Sequence, residues 1–400
     1  MAYIKRSIDD ELLSWMKDPS RKPLLLRGAR QVGKTTAVRA LAKRFKYFIE
    51  IDFNQSEADR ELFGSDVSTP KLWENLAAIH GVTSKPGKTL LFLDEIQACP
   101  AAVNRLRYFY EQIPELHVIA AGSLLEFVLE DLPSFGVGRV RSLFVYPLSF
   151  QEFLAALGKE TLGDLVRKAS PENPLLPAVH ETLTEMLRTF LVIGGMPEVV
   201  QEYVENHDLM KCQLILDELI TSFQDDFRKY SKRIPEARIN EVFNAVAKQG
   251  HGKFVYTKVG EGLKLTQVKE ALNLLILAGL VYPVTHTAAN GLPLGSEINE
   301  RYRRTILLDA GFVQRMQSLD LRALLQSADF SAVNRGAVAE VFVGTELIKA
   351  QSAFTRSALW CWHKEDSRSQ AEVDYVVQSG DNIVPVEVKS GGKGAMQSLR

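Results

Sequence analysis

Cysteine is scarce in this chain of 400 residues. The three cysteines, Cys99, Cys212 and Cys361, lie too far apart for the paired spacing of a zinc site. They also exclude the dense disulfide framework of a small secreted domain. Three isolated cysteines favour a protein of a reducing compartment.

Long apolar runs are also missing. A transmembrane helix needs roughly 18 or more consecutive apolar residues, and the most apolar run, residues 271–281, is shorter and contains Asn273. At the amino terminus, Lys5 and Arg6 are followed by acidic residues and not by the apolar segment of a signal peptide. We therefore expect a cytoplasmic protein with no membrane partner.

Neither sign of charge dominates, because 48 basic residues face 49 acidic ones and the net charge is −1. This balance argues against a protein that coats nucleic acid, although a local basic face remains compatible with it. The length predicts two or three domains with separate cores.

Residues 28–35, GARQVGKT, fit the phosphate-binding loop G-x-x-x-x-G-K-[ST] and lie between an apolar run and a helical pattern. The glycines allow backbone N–H groups to surround the phosphates, Lys34 reaches the β and γ oxygens, and the Thr35 hydroxyl binds Mg²⁺. An ordinary glycine-rich turn is the alternative. The predicted nucleotide contacts are Gly28, Arg30, Gln31, Val32, Gly33, Lys34, Thr35 and Thr36.

A second motif supports ATP binding and makes the simple turn a poor explanation. Residues 89–93 read as a buried strand that ends in Asp94 and Glu95, the Walker B pattern. Asp94 is predicted to hold Mg²⁺ through water, and Glu95 to polarise the water that attacks the γ-phosphate. Two adjacent carboxylates favour hydrolysis over passive binding.

Two further residues are candidates for a role in hydrolysis. Ser123 follows the apolar strand predicted at residues 117–121 and could sense the γ-phosphate. Arg139 could act as an arginine finger on the nucleotide of a neighbouring subunit, which would require a homo-oligomer. An exposed arginine with no such role fits the spacing of Arg139 equally well.

The segments GARQVGKT, LLFLDEIQ, AAGSLLEF, GRVRSLFVYPLSFQEF and GGMPEVV together resemble a widespread group of prokaryotic AAA-type P-loop ATPases. The resemblance covers nearly the whole chain. It implies an AAA-type core with adenine preferred over guanine, and a carboxy-terminal half with a winged helix and a restriction-endonuclease-like end. It implies no particular substrate.

The expected fold class is α/β: a P-loop AAA-type core with a parallel sheet, a helical lid, a winged-helix module and a partial PD-(D/E)xK-like α/β end. The boundaries predicted from composition and pattern are 1–22 for an amino-terminal helix, 23–155 for the core, 156–224 for the lid, 225–330 for the winged helix and 331–400 for the last module.

The predicted winged-helix module contains basic residues that suit either solvent or a partner. DNA phosphates and a protein surface are equally good candidates for that partner. The basic residues concerned are Arg228, Lys229, Lys232, Arg233, Lys258 and Lys269.

The last module contains an acidic and basic pattern found in nucleases. Asp374 is followed thirteen residues later by Glu387-Val388-Lys389, the PD-(D/E)xK spacing, and Glu340 lies on a helical stretch before it. A hairpin would bring Asp374 and Glu387 together as Mg²⁺ ligands, with Lys389 beside the attacking water. An amphipathic hairpin with a polar face is the plainer alternative. Because the chain ends at Arg400, we expect this module to be truncated, which places cleavage in doubt.

These observations predict an Mg²⁺-dependent ATPase that couples hydrolysis to conformational change, with nucleic acid as one candidate target. One alternative is a slow-turnover, ATP-controlled signalling or defence switch that binds a protein partner. A second alternative is an ATP-regulated, Mg²⁺-dependent nuclease.

Overall fold

A computed structural model describes residues 3–83, 85–123, 125–131, 138–230, 234–250, 253–260, 262, 264–318, 335–364 and 371–389. The chain forms two compact units. Unit 1 comprises Met1–Tyr146 and Ser352–Arg356, and unit 2 comprises Pro147–Gln351 and Ser357–Arg400.

Unit 1 is built on a parallel sheet of five strands in the order β2-β3-β4-β1-β5. The two central runs, LLFL of β3 and HVIAA of β4, are buried along their length, as expected for strands covered on both faces. The strands are β1 (Leu24–Arg27), β2 (Tyr47–Asp52), β3 (Thr89–Asp94), β4 (His117–Ala121) and β5 (Arg141–Phe144).

Helices connect the strands of unit 1 in the alternating pattern that parallel pairing requires. They are α1 (Ser7–Lys17), α2 (Lys34–Ala42), α3 (Glu57–Gly64), α4 (Thr69–Ile79), α5 (Pro100–Gln112) and α6 (Leu125–Asp131). The core around this sheet includes the aromatic side chains of Phe53, Phe63, Trp73 and Phe109.

The segment Ser352–Arg356 returns to unit 1 beside β5. The Phe144 amide donates to the Ala353 carbonyl over 2.7 Å. The Arg356 guanidinium pairs with Glu126, which also pairs with Arg27 directly before the phosphate-binding loop. A short segment that is distant in sequence therefore lies beside β5 as part of unit 1.

Unit 2 combines nine described helices with a second sheet. Several helices begin at a side chain that satisfies the free N–H groups of the first turn; Ser149, for example, forms a capping box with Glu152 at the start of α7. The helices are α7 (Phe150–Ala156), α8 (Glu160–Lys168), α9 (Pro177–Ile193), α10 (Pro197–Asn206), α11 (Leu209–Tyr230), α12 (Glu236–Gln249), α13 (Leu265–Leu277), α14 (Ala310–Met316) and α15 (Arg335–Lys349).

The second sheet has the order β10-β9-β8-β6-β7. All its neighbouring pairs are antiparallel except β6 and β8, which are parallel. Its strands are β6 (Val281–Thr287), β7 (Ile298–Leu307), β8 (Leu359–His363), β9 (Glu372–Ser379) and β10 (Asn382–Val386).

The α/β fold class predicted from the sequence is confirmed, including the parallel sheet around the phosphate-binding loop. The hairpin expected around Asp374 is present as β9 and β10. One sheet holds strands from both the segment predicted as a winged helix and the segment predicted as nuclease-like. The finer division into five modules stays a prediction.

No helix in the described ranges is long and apolar enough to cross a membrane.

Candidate nucleotide-binding site

The loop between β1 and α2 has the backbone shape of an anion-binding turn. Three of its residues have positive φ angles, 137° at Gly28, 63° at Gln31 and 95° at Gly33. A methyl group at Gly28 would overlap the Val145 carbonyl oxygen, so this position has room only for glycine. Alternating backbone conformations of this kind turn successive N–H groups towards one centre.

Lys34 begins α2 and is buried within the loop. Its ammonium group donates to the carbonyl oxygens of Gly28 over 2.9 Å and Ala29 over 2.7 Å. Burial lowers the pKa of Lys34 to about 8, and the nearby carboxylates of Glu95 and Asp94 oppose that shift. The sequence motif therefore places a buried cation at the amino end of a helix, where anions are favoured.

One hydrogen bond joins the phosphate-binding loop to the Walker B strand. The Thr35 hydroxyl donates to Asp94 Oδ2 over 2.8 Å. Asp94 ends β3, and its Oδ1 accepts from the Glu95 amide over 3.0 Å. Burial raises the pKa of Asp94, against the lowering effect of the Thr35 hydroxyl. A hydroxyl beside a half-buried carboxylate is an oxygen donor set that suits Mg²⁺.

Glu95 and Ser123 follow neighbouring strands of the sheet. β3 and β4 are parallel, so both residues lie at the carboxyl edge, where ligands bind in open α/β sheets. Glu95 is half-buried in a left-handed backbone conformation, with φ 49° and ψ 42°, and Ser123 is half-buried. The Gln97 side chain donates to Glu95 Oε2.

The remaining predicted contacts of the loop differ in exposure. Arg30, Gln31 and Thr36 are exposed, whereas Val32 is buried. The Val32 carbonyl accepts from buried Arg6 over 3.3 Å, and the same guanidinium donates to the Tyr146 carbonyl over 2.8 Å.

Arg6 and Gln97 support the site but did not emerge from sequence reasoning. Arg6 lies outside the loop motif, and the signal that could have marked Gln97 is its place two residues after Glu95.

Arg139 lies on the surface of unit 1. Its side chain is 53% exposed, and its Nε is 3.2 Å from Glu111 Oε1. An exposed pair of this kind contributes little stability, so Arg139 can exchange partners at low cost. The finger role of Arg139 stays a prediction.

The predicted nuclease residues form two neighbouring ion clusters in unit 2. The Arg304 guanidinium contacts Glu340, and its Nη1 is 3.2 Å from Asp374 Oδ1. Lys389 pairs with Glu387. Arg304, on β7, is a residue that sequence reasoning missed.

Hydrogen bonds tie these clusters to the surrounding backbone. The Val388 amide donates to Asp374 Oδ2 over 2.8 Å, and the Tyr375 hydroxyl donates to the Glu340 carbonyl over 2.7 Å. Among the described residues, no group of three or more His, Cys, Asp or Glu side chains is arranged to hold a metal ion. An arginine thus lies between Asp374, a predicted metal ligand, and Glu340, which was predicted to lie beside that ligand.

The basic residues of the predicted winged helix are largely engaged with neighbours in unit 2. Arg228 pairs with Glu236 over 3.1 Å, and Lys229 pairs with Asp226 over 2.7 Å. Lys269 lies 5.9 Å from the Tyr256 ring centroid, and Lys258 is exposed. The other two candidates, Lys232 and Arg233, lie outside the described residues.

Residues 20–154 match the family model of an AAA domain. The chain therefore carries an AAA-type P-loop ATPase domain in its amino-terminal part, and families of this type bind ATP. Residues 184–323 and 335–400 match two domains of unknown function, DUF8612 and DUF4143. No curated protein matches the chain.

Solved structures are similar to this chain at low sequence identity. A Walker-type ATPase of Pyrococcus abyssi has 16% identity and a TM-score of 0.50, with 79% of this chain and 96% of that chain covered. The ORC1 protein of Aeropyrum pernix, in complex with DNA, has 14% identity and a TM-score of 0.32, with 79% and 93% covered. The similarity to the Pyrococcus abyssi ATPase supports the fold. The TM-score for the ORC1 protein is too low to support any conclusion about this chain.

Proposed function

We propose that this protein is an Mg²⁺-dependent ATPase of the AAA type that couples hydrolysis to conformational change. The observation that carries the proposal is the 2.8 Å hydrogen bond between Thr35 and Asp94. It supports the proposal because the hydroxyl of the phosphate-binding loop and the Walker B carboxylate lie close enough to hold one divalent ion together, Asp94 through water.

The described residues fit ATP and Mg²⁺. Thr35 and Asp94 would hold the ion, and Lys34 with the loop N–H groups would hold the phosphates. Mg²⁺ would supply charge neutralisation on the phosphate oxygens. The fit rests on the positive φ angles of the loop and on the burial of Lys34.

Glu95 is proposed as the residue that orients and polarises the attacking water. Its half-buried position at the carboxyl edge of the sheet, one residue after Asp94, supports this role. Ser123 at the end of the neighbouring strand is proposed to respond to the γ-phosphate. Arg139 is proposed to act on the nucleotide of a second copy of the chain, since it is exposed and its pair with Glu111 is a surface pair.

The proposal is tested by ATP turnover of the wild type and Glu95→Gln, with and without duplex or single-stranded DNA. The expected result is Mg²⁺-dependent turnover that falls by about a hundredfold or more in Glu95→Gln. Glu61→Gln, an exposed carboxylate on α3 of the same unit, is the matched control and should retain activity. Equal turnover in the wild type and Glu95→Gln would refute the proposed ATPase.

The same assay separates the kinds of partner. Stimulation by DNA that disappears in Glu95→Gln would identify a nucleic-acid-acting ATPase. Tight nucleotide binding with slow turnover and no effect of DNA would identify a switch that acts on a protein partner.

The nuclease alternative has less support than these two. Arg304 already contacts Asp374, a predicted metal ligand, and Glu340, the other acidic residue of the predicted site that lies beside it. A guanidinium between these side chains is more consistent with a structural role for the cluster.

A further inference from the structure

Gln97 lies beside the proposed catalytic glutamate without belonging to either nucleotide-binding motif. It occupies a short 3-10 turn, Ile96–Ala98, that begins immediately after Glu95. Its Nε2 donates to Glu95 Oε2. The amide is oriented with its nitrogen towards Glu95, because the opposite orientation would place Gln97 Oε1 against the Glu95 carboxylate, and both are acceptors.

The backbone of Glu95 is fixed independently of Gln97. Its left-handed conformation and the hydrogen bond from its amide to Asp94 Oδ1 set where the side chain starts. The carboxylate at the far end still has free torsions, and the Gln97 amide restrains it there. A donor on one carboxylate oxygen leaves the other available to accept a proton from water.

The other end of the Gln97 amide reaches the neighbouring strand. Among the residues that the structure describes, the buried Gln97 Oε1 has no hydrogen-bond partner, and it lies against Gly122, which follows β4 and precedes Ser123. A methyl group at Gly122 would overlap this oxygen. A buried acceptor without a partner is costly unless a donor such as water reaches it.

We infer that Gln97 is a positioning residue that orients the Glu95 carboxylate towards the attacking water and links it to Gly122 at the end of β4. This inference rests on the proposed ATPase function. It predicts that turnover depends on the Gln97 amide, whereas ATP affinity does not. It also predicts that Gly122 matters because the absence of a side chain leaves room for that amide.

The first test is the substitution Gln97→Ala. We expect kcat for ATP to fall by about tenfold to a hundredfold, since misorientation of a catalytic group costs that order. The Kd for ATP and the melting temperature should stay near the wild-type values. Gln55→Ala is the matched control, because Gln55 also donates its amide to a carboxylate, Asp52 Oδ2 over 2.7 Å, after the adjacent strand.

The second test displaces Gln97 without replacing it. Gly122→Ala puts a methyl group where Oε1 lies, and the flexible glutamine can move away, so the fold should survive. We expect kcat to fall as in Gln97→Ala. In the double variant the second substitution should add little, because both act through the same contact.

Several outcomes would overturn the inference. Gln97→Ala with wild-type kcat, a loss of kcat matched by an equal loss of ATP affinity, or fully additive effects of the two substitutions would each do so. If Gln97→Ala does not fold, a wild-type kcat in Gly122→Ala decides against the inference. Wild-type turnover no higher than that of Glu95→Gln would instead remove the ATPase proposal, and this inference with it.

Discussion

Replacing Arg304 with methionine would test how far unit 2 depends on its buried charges. The Arg304 side chain is 5% exposed and contacts carboxylates of α15 and β9, Glu340 and Asp374. Methionine is a flexible, apolar side chain that fills much of the same space. The substitution therefore removes the cation while leaving both carboxylates buried.

Removing one partner of a buried ion pair costs about 3–5 kcal/mol. We expect the lower end of this range near neutral pH, because Glu340 can take up a proton. Burial raises the pKa of Glu340 to about 8, and the surrounding carboxylates add to this rise against the opposing effect of Arg304. A protonated Glu340 needs no cation, which limits the loss.

The pH dependence follows from the same carboxyl group. A carboxyl whose pKa is higher in the folded state contributes stability below its unfolded value of 4.5, and this contribution is lost as pH rises through about 8. In the wild type, Arg304 compensates for the charge that then forms on Glu340. In Arg304→Met no cation offsets that charge and the pKa of Glu340 rises further, so the difference in unfolding free energy between the two proteins should grow as pH rises above about 8.

Urea unfolding followed by tryptophan fluorescence would measure this loss, since Trp360 and Trp362 lie on β8 of the same sheet. Arg303→Met is the matched control, because adjacent residues of a strand face opposite sides. It should cost about 1 kcal/mol or less. A loss in Arg304→Met no larger than in this control would refute the reasoning.

Three further predictions concern the nucleotide-binding unit. Gly28→Ala should abolish ATP binding, because the new methyl group overlaps the Val145 carbonyl oxygen. A fluorescent ATP analogue would measure the binding. Gly87→Ala is the control and should bind normally, because a methyl group there meets no atom within 4 Å. ATP affinity should fall from about pH 7 to about pH 9, because Lys34 loses its charge around its lowered pKa of about 8. Lys34→Met, which has no charge to lose, should show no such fall. Arg139→Ala should abolish turnover and leave ATP affinity nearly unchanged, and an equal loss of both would count against a finger role.

Much of the nucleotide site could be predicted because its residues are close together in the sequence. The loop and the start of α2 are continuous, so the spacing of Gly33, Lys34 and Thr35 fixes their geometry. The strands before Asp94 and Ser123 were evident from uninterrupted apolar runs. Parallel pairing of β3 and β4 then brings their carboxyl ends to one edge.

The parts that could not be predicted depend on contacts distant in sequence. Arg304 lies 36 residues from Glu340 and 70 from Asp374, and no pattern within β7 marks it as their partner. Arg6 reaches Val32 from a separate helix start, 26 residues away. Such pairs are set by tertiary packing, which local periodicity does not encode.

The parallel pairing of β6 with β8 limits how the gene for this protein can recombine. Val284 lies opposite Leu359 and His286 opposite Cys361, and each of these pairs joins the segments that match the two domains of unknown function. A gene fragment ending between the two segments would leave β6 with an unpaired edge, which favours aggregation. In this chain the two matched segments therefore belong to one sheet, and we expect recombination to move them together.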